Sequence, residues 1–396
     1  MCSKILILLA ILQLFSSIKG SGSTTNTKRV VCYYGGIRGK QTKNLLPEDI
    51  DASVCTHITY LQGDINTELE EIHITPIFEV HQTGGPSYTE KLEKLKEANP
   101  NLKLLLFVSP EHIPWVLESA ERRTKIIESA VALLNATKFD GLDFSTTFIE
   151  GAIDDFSTFL CEMHAEFEKY GYILSVVGSE KLELNSVDTV VQRFSRQSGS
   201  IREFVPTIFF VMHAVLRINA QVTGKIDLDS LTHVAELARN THFMASSRCS
   251  SFITVLTIEN WMSRSNTTRL IAPINLTMTV VDRYIEKGYP ANKLLISIPT
   301  FGLIVTLTDP KQTGVGVSID GPGSERTEVT DGYTLFYSTV RPTVSAQYIL
   351  EKNLGGALFF TLDMDDFSGT SGKTFPIIRV VSDTFQQSVR ASDASP

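Results

Sequence analysis

Residues Phe139 to Glu150, with the sequence FDGLDFSTTFIE, decide the fold of this chain. Apolar side chains stand there among carboxylates and hydroxyls, which is typical of a short buried strand with polar groups on one face. Because side chains alternate between the faces of a strand, Asp143, Ser145 and Thr147 are predicted to share one side. Inward polar groups that end at the C-terminal edge of a strand are typical of a (β/α)8 barrel. The stretch therefore predicts that fold.

The rest of the chain alternates predicted strands with predicted helices, which indicates a parallel sheet. Further strands are predicted at residues 30–36, 55–61, 102–109, 172–177, 293–303 and 355–369. Helices are predicted at residues 90–99, 119–134, 154–170, 280–288 and 344–353. In the third helix, five large apolar residues recur at helical spacing and are predicted to be core: Phe156, Phe159, Leu160, Met163 and Phe167.

The composition excludes several functional classes. Hydrophobic residues make up 42% of the 396 residues, which is enough for a large core. A formal net charge of -8 argues against a nucleic acid or an anionic membrane as the main partner. The sequence contains no phosphate-binding loop, dinucleotide fingerprint, catalytic-triad motif or clustered His/Cys set, so we expect no cofactor and no metal. Neutral glycans remain compatible partners.

The N-terminus predicts export from the cell. Residues 1–20 combine Lys4, an apolar run from Ile5 to Phe15 and small residues, which is the form of a secretory signal peptide. The alternative is a buried N-terminal helix. The run is too short to span a membrane, and residues 21–28 are predicted to form a loose arm. We therefore expect an extracellular protein without a membrane span.

The run Phe139-Asp140-Gly141-Leu142-Asp143 resembles the start of the fourth-strand motif of family-18 chitinases. In that family the motif ends on a Glu that is the general acid, preceded by an Asp that steers the N-acetyl group of the substrate. Ser145 and Thr147 stand at these two positions. A hydroxyl does not protonate a glycosidic oxygen near pH 7, so the resemblance implies degenerate catalytic positions. Asp140 and Gly141 are then interpreted as structural.

The resemblance covers most of residues 29–385, predicted to be one chitinase-like barrel. In the family, strand six ends on a Met-Thr-Tyr-Asp motif, whose Tyr steadies the acetamido carbonyl of the substrate. Ser246 stands at the position of that Tyr in this chain. Phe360 replaces the Trp that floors the central sugar subsite, and its smaller ring can still stack on a pyranose. Four further carbohydrate-binding candidates are Asp143, Met244, Tyr34 and Trp115. For Trp115, packing is the favoured alternative.

Three segments depart from the regular barrel pattern. Residues 303–343 resemble the first half of the α+β insertion that follows strand seven in the family, which predicts a small, shortened insertion and a shallower groove. Residues 198–225 match nothing in the family, and they are either an insertion on the outside of the barrel or translated intron from a wrong gene model. Residues 386–396 are predicted to be a disordered tail.

Cysteines and sequons agree with an exported chain. The resemblance places a disulfide between Cys32 and Cys55, which joins the first two barrel strands. For Cys161, a disulfide with Cys249 and a buried free thiol both remain open. N-glycosylation is predicted at three sequons, Asn135, Asn266 and Asn275.

The resemblance gives three functional hypotheses. The first is a secreted, monomeric and catalytically inactive chitinase-like protein that binds chitin or N-acetylglucosamine oligosaccharides. The second is a secreted growth-factor-like signalling protein that acts through a protein partner at the cell surface. The third is a weak chitin hydrolase.

Overall fold

The computed structural model describes residues 28–35, 45–75, 87–145, 152–179, 249–258, 266–268, 270–286, 288–309, 311–322, 334–337 and 341–393. The strands in these ranges are β1 (Arg29–Tyr34), β2 (His57–Asn66), β3 (Glu71–Ile74), β4 (Lys103–Val108), β5 (Gly141–Ser145), β6 (Ile173–Ser179), β7 (Phe252–Leu256), β8 (Leu294–Pro299), β9 (Leu303–Leu307), β10 (Ile319–Pro322), β11 (Thr334–Tyr337) and β12 (Gly356–Phe360). The α-helices are α1 (Tyr88–Ala98), α2 (Ile113–Leu117), α3 (Ala120–Ala136), α4 (Ile153–Glu168), α5 (Ile274–Glu286), α6 (Pro342–Glu351) and α7 (Pro376–Asp393). The predicted signal peptide, the arm up to residue 27 and the segment 198–225 lie outside the described residues.

Eight parallel strands form a closed barrel, which confirms the predicted fold class. Their order is β1, β2, β4, β5, β6, β7, β8 and β12, and β12 pairs again with β1 to close the ring. The central strand β5 lies between β4 and β6, and Asp143 is in register with Phe107 on one side and Ser175 on the other. The antiparallel strand β3 extends β2 outside the ring.

The strands carry apolar side chains on both faces, as expected when helices cover a parallel sheet. The inner face holds a small cluster that includes Val31, Leu105, Leu295 and Leu358. The outer face packs against the helices in a much larger cluster. The five predicted core residues of α4 all belong to it, with at most 1% of each exposed. The helical spacing of these residues therefore identified the core correctly.

A three-stranded antiparallel sheet follows β8 at the predicted place of the insertion. Its order is β10, β9, β11, and all three strands lie within residues 303–343. Because the sheet follows a barrel strand directly, it lies at the C-terminal end of the barrel.

Polar side chains cap the helices and fix where they begin. Ser87 and Glu90 form a capping box at the start of α1. Asp365 accepts hydrogen bonds from the N–H groups of Ile377 and Ile378 at the start of α7. These contacts use N–H groups that have no partner inside the helix.

The predicted disordered tail at residues 386–396 is wrong for residues 386–393, because α7 continues to Asp393. No glycine or proline interrupts the chain between Pro376 and Asp393. Ile378, Val381 and Phe385 are buried along the helix at helical spacing. The helical period of these buried residues explains why the last segment of the chain forms a helix.

Candidate functional site

The inner face of β5 carries one carboxyl group, that of Asp143, near the C-terminal end of the barrel. Its Oδ2 accepts a hydrogen bond of 2.5 Å from the Tyr33 hydroxyl, which reaches across the barrel from β1. Its Oδ1 accepts a hydrogen bond of 2.7 Å from the Ser175 hydroxyl on β6. Asp143 is only 2% exposed. Both carboxyl oxygens are therefore already engaged inside the barrel.

Burial controls the electrostatics of this trio. Desolvation raises the pKa of Asp143 to about 6, although the hydrogen bonds from Tyr33 and Ser175 oppose the change. The pKa of Tyr33 is raised well above its usual value, mainly by burial and then by the charge of Asp143. Tyr33 thus stays protonated at neutral pH and acts as the donor.

The raised pKa of Asp143 predicts a pH dependence of stability. The folded state holds the Asp143 proton more tightly than the unfolded chain does, so this group makes folding less favourable as pH rises from about 4 to about 6. A shift of this size corresponds to about 2–3 kcal/mol. Denaturant unfolding of the wild type and of Asp143→Asn should therefore show the wild type losing that much, relative to the variant, between pH 4 and pH 7. A difference in stability that does not change with pH would contradict the prediction.

Four aromatic rings form a continuous row at the same end of the barrel, which we call the aromatic row: Phe107, Tyr33, Phe360 and Phe301. Adjacent ring centroids lie 5.8 Å, 5.7 Å and 6.3 Å apart along it. Tyr33 is buried, whereas the other three rings are partly exposed. Phe360 is the last residue of β12, and its ring lies between the rings of Tyr33 and Phe301. It is therefore a central member of the row that is also partly exposed.

Polar contacts to Gly35 fix the backbone at the end of β1, next to Tyr33. The Gln62 side chain donates a hydrogen bond of 2.6 Å to the Gly35 carbonyl. The Asp363 carboxylate accepts a hydrogen bond from the Gly35 N–H, and burial raises the pKa of Asp363. Gly35 has a φ of 83°, and a Cβ there would lie 2.8 Å from the Tyr60 ring, so the position requires glycine. The backbone next to the aromatic row is thereby fixed.

The structure brings together only some of the predicted site residues. Ser145 is buried as the last residue of β5, on the same face as Asp143, as the alternation predicted. Phe360 lies in the aromatic row. The other three predicted positions, Thr147, Met244 and Ser246, lie outside the described residues.

Tyr34 does not lie in the candidate site, and its predicted role in binding carbohydrate is wrong. Its side chain packs in the outer core, where the ring stacks on Tyr60 with centroids 6.1 Å apart. Its hydroxyl donates a hydrogen bond of 3.0 Å to the Leu45 carbonyl. The reason is the alternation of β1: Tyr33 and Val31 face inward, so Tyr34 faces the helices.

Trp115 also packs instead of lining the groove. It lies on the short helix α2 and contacts the outer core. The Arg122 guanidinium covers its ring at 4.4 Å from the centroid and donates a hydrogen bond to the Trp115 carbonyl. One face of the ring is thus occupied by an arginine, as the packing alternative for this residue predicts.

Asp140 and Gly141 lie at the opposite end of β5, away from the aromatic row. The Asp140 carboxylate contacts the ammonium groups of Lys96 at 2.7 Å and Lys103 at 3.2 Å. It also accepts a hydrogen bond from the Leu104 N–H. At Gly141, a Cβ would lie 1.9 Å from the Ile173 carbonyl oxygen, so no larger residue fits. These contacts join β5 to β4 and β6.

Two disulfides crosslink segments of the barrel. Cys32 is joined to Cys55, as the resemblance implied. Cys161 on α4 is joined to Cys249 just before β7, which resolves the alternative that the sequence left open. The three sequon residues, Asn135, Asn266 and Asn275, are exposed. Within the described ranges, no helix has the length and apolarity needed to cross a bilayer.

The structure is thus a closed (β/α)8 barrel with an aromatic row and a buried carboxyl group at its C-terminal end. Residues 29–198 match the model of the family described as Glycosyl hydrolases family 18, and the chain is similar to chitinases and chitinase-like proteins.

Several known proteins are similar to this chain over most of its length. Chitotriosidase-1 of Mus musculus is 23% identical over 401 residues, which cover 89% of this chain and 77% of the mouse protein. The structure of the Ostrinia furnacalis Group IV chitinase has a TM-score of 0.65 at 21% identity, covering 91% of this chain and 100% of that one. Human YKL-39, described as a pseudo-chitinase with retained chitooligosaccharide binding properties, has a TM-score of 0.62 at 19% identity, with 91% and 100% covered. The proteins similar to this chain thus include chitinases and a protein described as a pseudo-chitinase that binds chitooligosaccharides.

Proposed function

We propose that this chain is a secreted protein that binds chitin or N-acetylglucosamine oligosaccharides along the aromatic row and does not hydrolyse them. The observation that carries the proposal is the placement of Phe360, a partly exposed ring at the centre of that row. Aromatic faces stack on the apolar faces of sugar rings. A binding protein needs such a surface whether or not it has a catalytic acid.

The polar groups on β5 support binding without turnover. Hydrolysis needs a carboxylic acid within contact distance of the glycosidic oxygen. Both oxygens of Asp143 already accept hydrogen bonds, from Tyr33 and Ser175, and the group is buried. Ser145 is the next inward residue toward the aromatic row, and its hydroxyl is a poor acid. We infer that the part of the site that the structure describes holds the ligand and offers no proton donor to it.

Export is proposed on two independent grounds. Both disulfides join elements of the barrel, and such bonds persist in oxidising compartments. The N-terminal run of residues 1–20 has the form of a cleaved signal peptide.

Calorimetry with chitotetraose tests the proposal, with cellotetraose as the matched glycan that lacks acetamido groups. We expect saturable heat with chitotetraose, much weaker binding of cellotetraose, and no release of shorter sugars during a long incubation. Absence of heat with chitotetraose would overturn the binding role and favour the signalling hypothesis. Release of shorter sugars above a heat-treated control would favour the hydrolase.

Replacing Phe360 with alanine should weaken chitotetraose binding about tenfold or more, because a stacked ring contributes more than about 1 kcal/mol including its buried area. Phe360→Trp should bind more tightly than the wild type because an indole offers a larger face. Calorimetry on the purified variants measures both effects. The control is Tyr170→Ala, which removes a half-exposed ring just before β6, at the other end of the barrel, and should not change the affinity. Equal affinities for Phe360→Ala and the wild type would show that the sugar binds elsewhere.

A further inference from the structure

The N-terminal end of the barrel, opposite the aromatic row, carries a cluster of cations that we call the basic ring: Lys28, Arg29, Lys103 and Lys293. Lys28 and Lys293 directly precede β1 and β8, and Arg29 and Lys103 are the first residues of β1 and β4. Because barrel strands all begin at the same end, these four side chains start from one rim. The proposed carbohydrate site does not use any of them.

Arg29 is the least compensated member of the basic ring. Its guanidinium lies over the Phe252 ring, 5.2 Å from the centroid, and donates one long hydrogen bond of 3.3 Å to the Asn292 carbonyl. Within the described residues it forms no ion pair with a carboxylate. A guanidinium has five N–H donors and stays charged even when burial lowers its pKa, as it does here. Most of its donors are thus left for a partner from solution.

The surrounding charges increase this imbalance. Arg29 lowers the pKa of Lys28 and Lys293, in each case after the larger effect of burial. On the anionic side, Asp140 is already paired with Lys96 and Lys103. The charge of Glu168 raises the pKa of Lys293 and so partly opposes the effects of burial and Arg29. Arg29 therefore repels both Lys28 and Lys293 at this end of the barrel.

We propose that the basic ring binds a tetrahedral oxyanion, a sulfate or phosphate group, with Arg29 as the forked donor. The Arg29 guanidinium is partly buried and has no carboxylate partner among the described residues, so an anion that offsets its charge would stabilise it. The planar guanidinium matches two oxygens of such an anion, and neighbouring ammonium groups add charge without fixing geometry. Arg29 remains partly exposed, so a small anion can reach it.

The His57 imidazole lies close enough to Arg29 for its signals to report the binding of an anion. Its imidazole contacts the same Phe252 ring, with centroids 5.6 Å apart. Burial first, and then the charges of Arg29 and Lys103, lower its pKa to about 3, while Asp140 opposes them. An anion on the guanidinium would offset the Arg29 contribution, so the imidazole signals should move as the site fills.

The test is calorimetric titration of the full chain with sodium sulfate and with sodium phosphate, at an ionic strength held constant with sodium chloride. We expect saturable binding to the wild type and a loss of at least about tenfold in Arg29→Met, which keeps the length of the side chain without its charge. The matched control is Arg379→Met, since Arg379 is already paired with Asp51 at 2.6 Å. This control should bind like the wild type. Unchanged binding by Arg29→Met, or no saturable binding to the wild type, would overturn the proposal.

A second measurement keeps the proposal testable if Arg29→Met does not fold. The His57 imidazole signals of the wild type, followed by nuclear magnetic resonance, should shift to a plateau as sulfate is added. Signals that do not move would refute the site. A parallel titration with N-acetylglucosamine 6-sulfate distinguishes the two sources of the group. Tighter binding of the ester would identify a sulfated sugar, and tighter binding of the free ion an inorganic anion; either result supports the site.

Discussion

Gly141→Ala is expected to lower the free energy of unfolding by about 4 kcal/mol, which is at the upper end for a single substitution. The added Cβ would lie 1.9 Å from the Ile173 carbonyl oxygen and within 2.8 Å of its Cα. These are backbone atoms, so relief requires β5 and β6 to separate where Gly141 pairs with Ile173, two residues before the contact between Asp143 and Ser175. Urea unfolding followed by far-UV circular dichroism measures the loss.

Gly171→Ala is the matched control for this prediction. Gly171 lies two residues before Ile173, and an added Cβ there meets nothing within 4 Å. Its φ of 72° still favours glycine, so we expect a loss of about 1 kcal/mol. Equal losses in the two variants would show that the close approach of β5 and β6 does not make glycine necessary at residue 141.

Removing the Cys161–Cys249 disulfide as Cys161→Ala/Cys249→Ala is expected to cost about 4 kcal/mol. The bond closes a loop of 88 residues, and the entropy that a crosslink removes from the unfolded chain grows with loop length. It also joins α4 to the strand that follows the long segment outside the described residues. Non-reducing peptide mapping should find the crosslinked pair, and urea unfolding should give the loss.

The second disulfide provides the control for this experiment. Cys32–Cys55 closes 23 residues, so a reductant should lower the stability of the double variant by a further amount of about 3 kcal/mol. A double variant as stable as the wild type would refute the prediction. Unchanged stability of the double variant after Cys32–Cys55 has been reduced would show that this second disulfide does not constrain the barrel.

The fold could be predicted because the hydrophobic patterns that determine it are local and recur along the chain. Alternation of strands and helices indicates a parallel barrel, and the inward face of β5 follows from the two-residue period starting at Asp143. The core of α4 follows from the helical period in the same way. Such patterns reflect which face of an element is buried, and burial is similar in every barrel of this type.

The binding role predicted for Tyr34 fails because it ignores which face of β1 the side chain occupies, whereas the packing alternative favoured for Trp115 agrees with the structure. Cys32 is bonded outside the ring to Cys55, and Tyr34 lies two residues further along β1. The same period that placed Asp143 therefore puts Tyr34 outside and Tyr33 inside. The alternation in the sequence thus places Tyr33 on the same inner face as Asp143, and the closure of the barrel brings the two side chains together.

Other site residues could not be found in this way. Ser175 and Phe301 join the site through contacts between strands that are distant in sequence, so their roles depend on the closure of the barrel. Neither stands out by residue type. The basic ring has the same origin, since its members are scattered from residue 28 to residue 293 and meet only because every barrel strand begins at one rim.

The central claim is that the barrel holds a chitin oligosaccharide without cutting it. The most direct test is a crystal structure of the mature chain soaked with chitotetraose. The account predicts an intact tetrasaccharide with one pyranose ring against Phe360 and no carboxyl group within hydrogen-bonding distance of a bridging oxygen. A cleaved product in the groove, with an acidic side chain on the bridging oxygen, would contradict it.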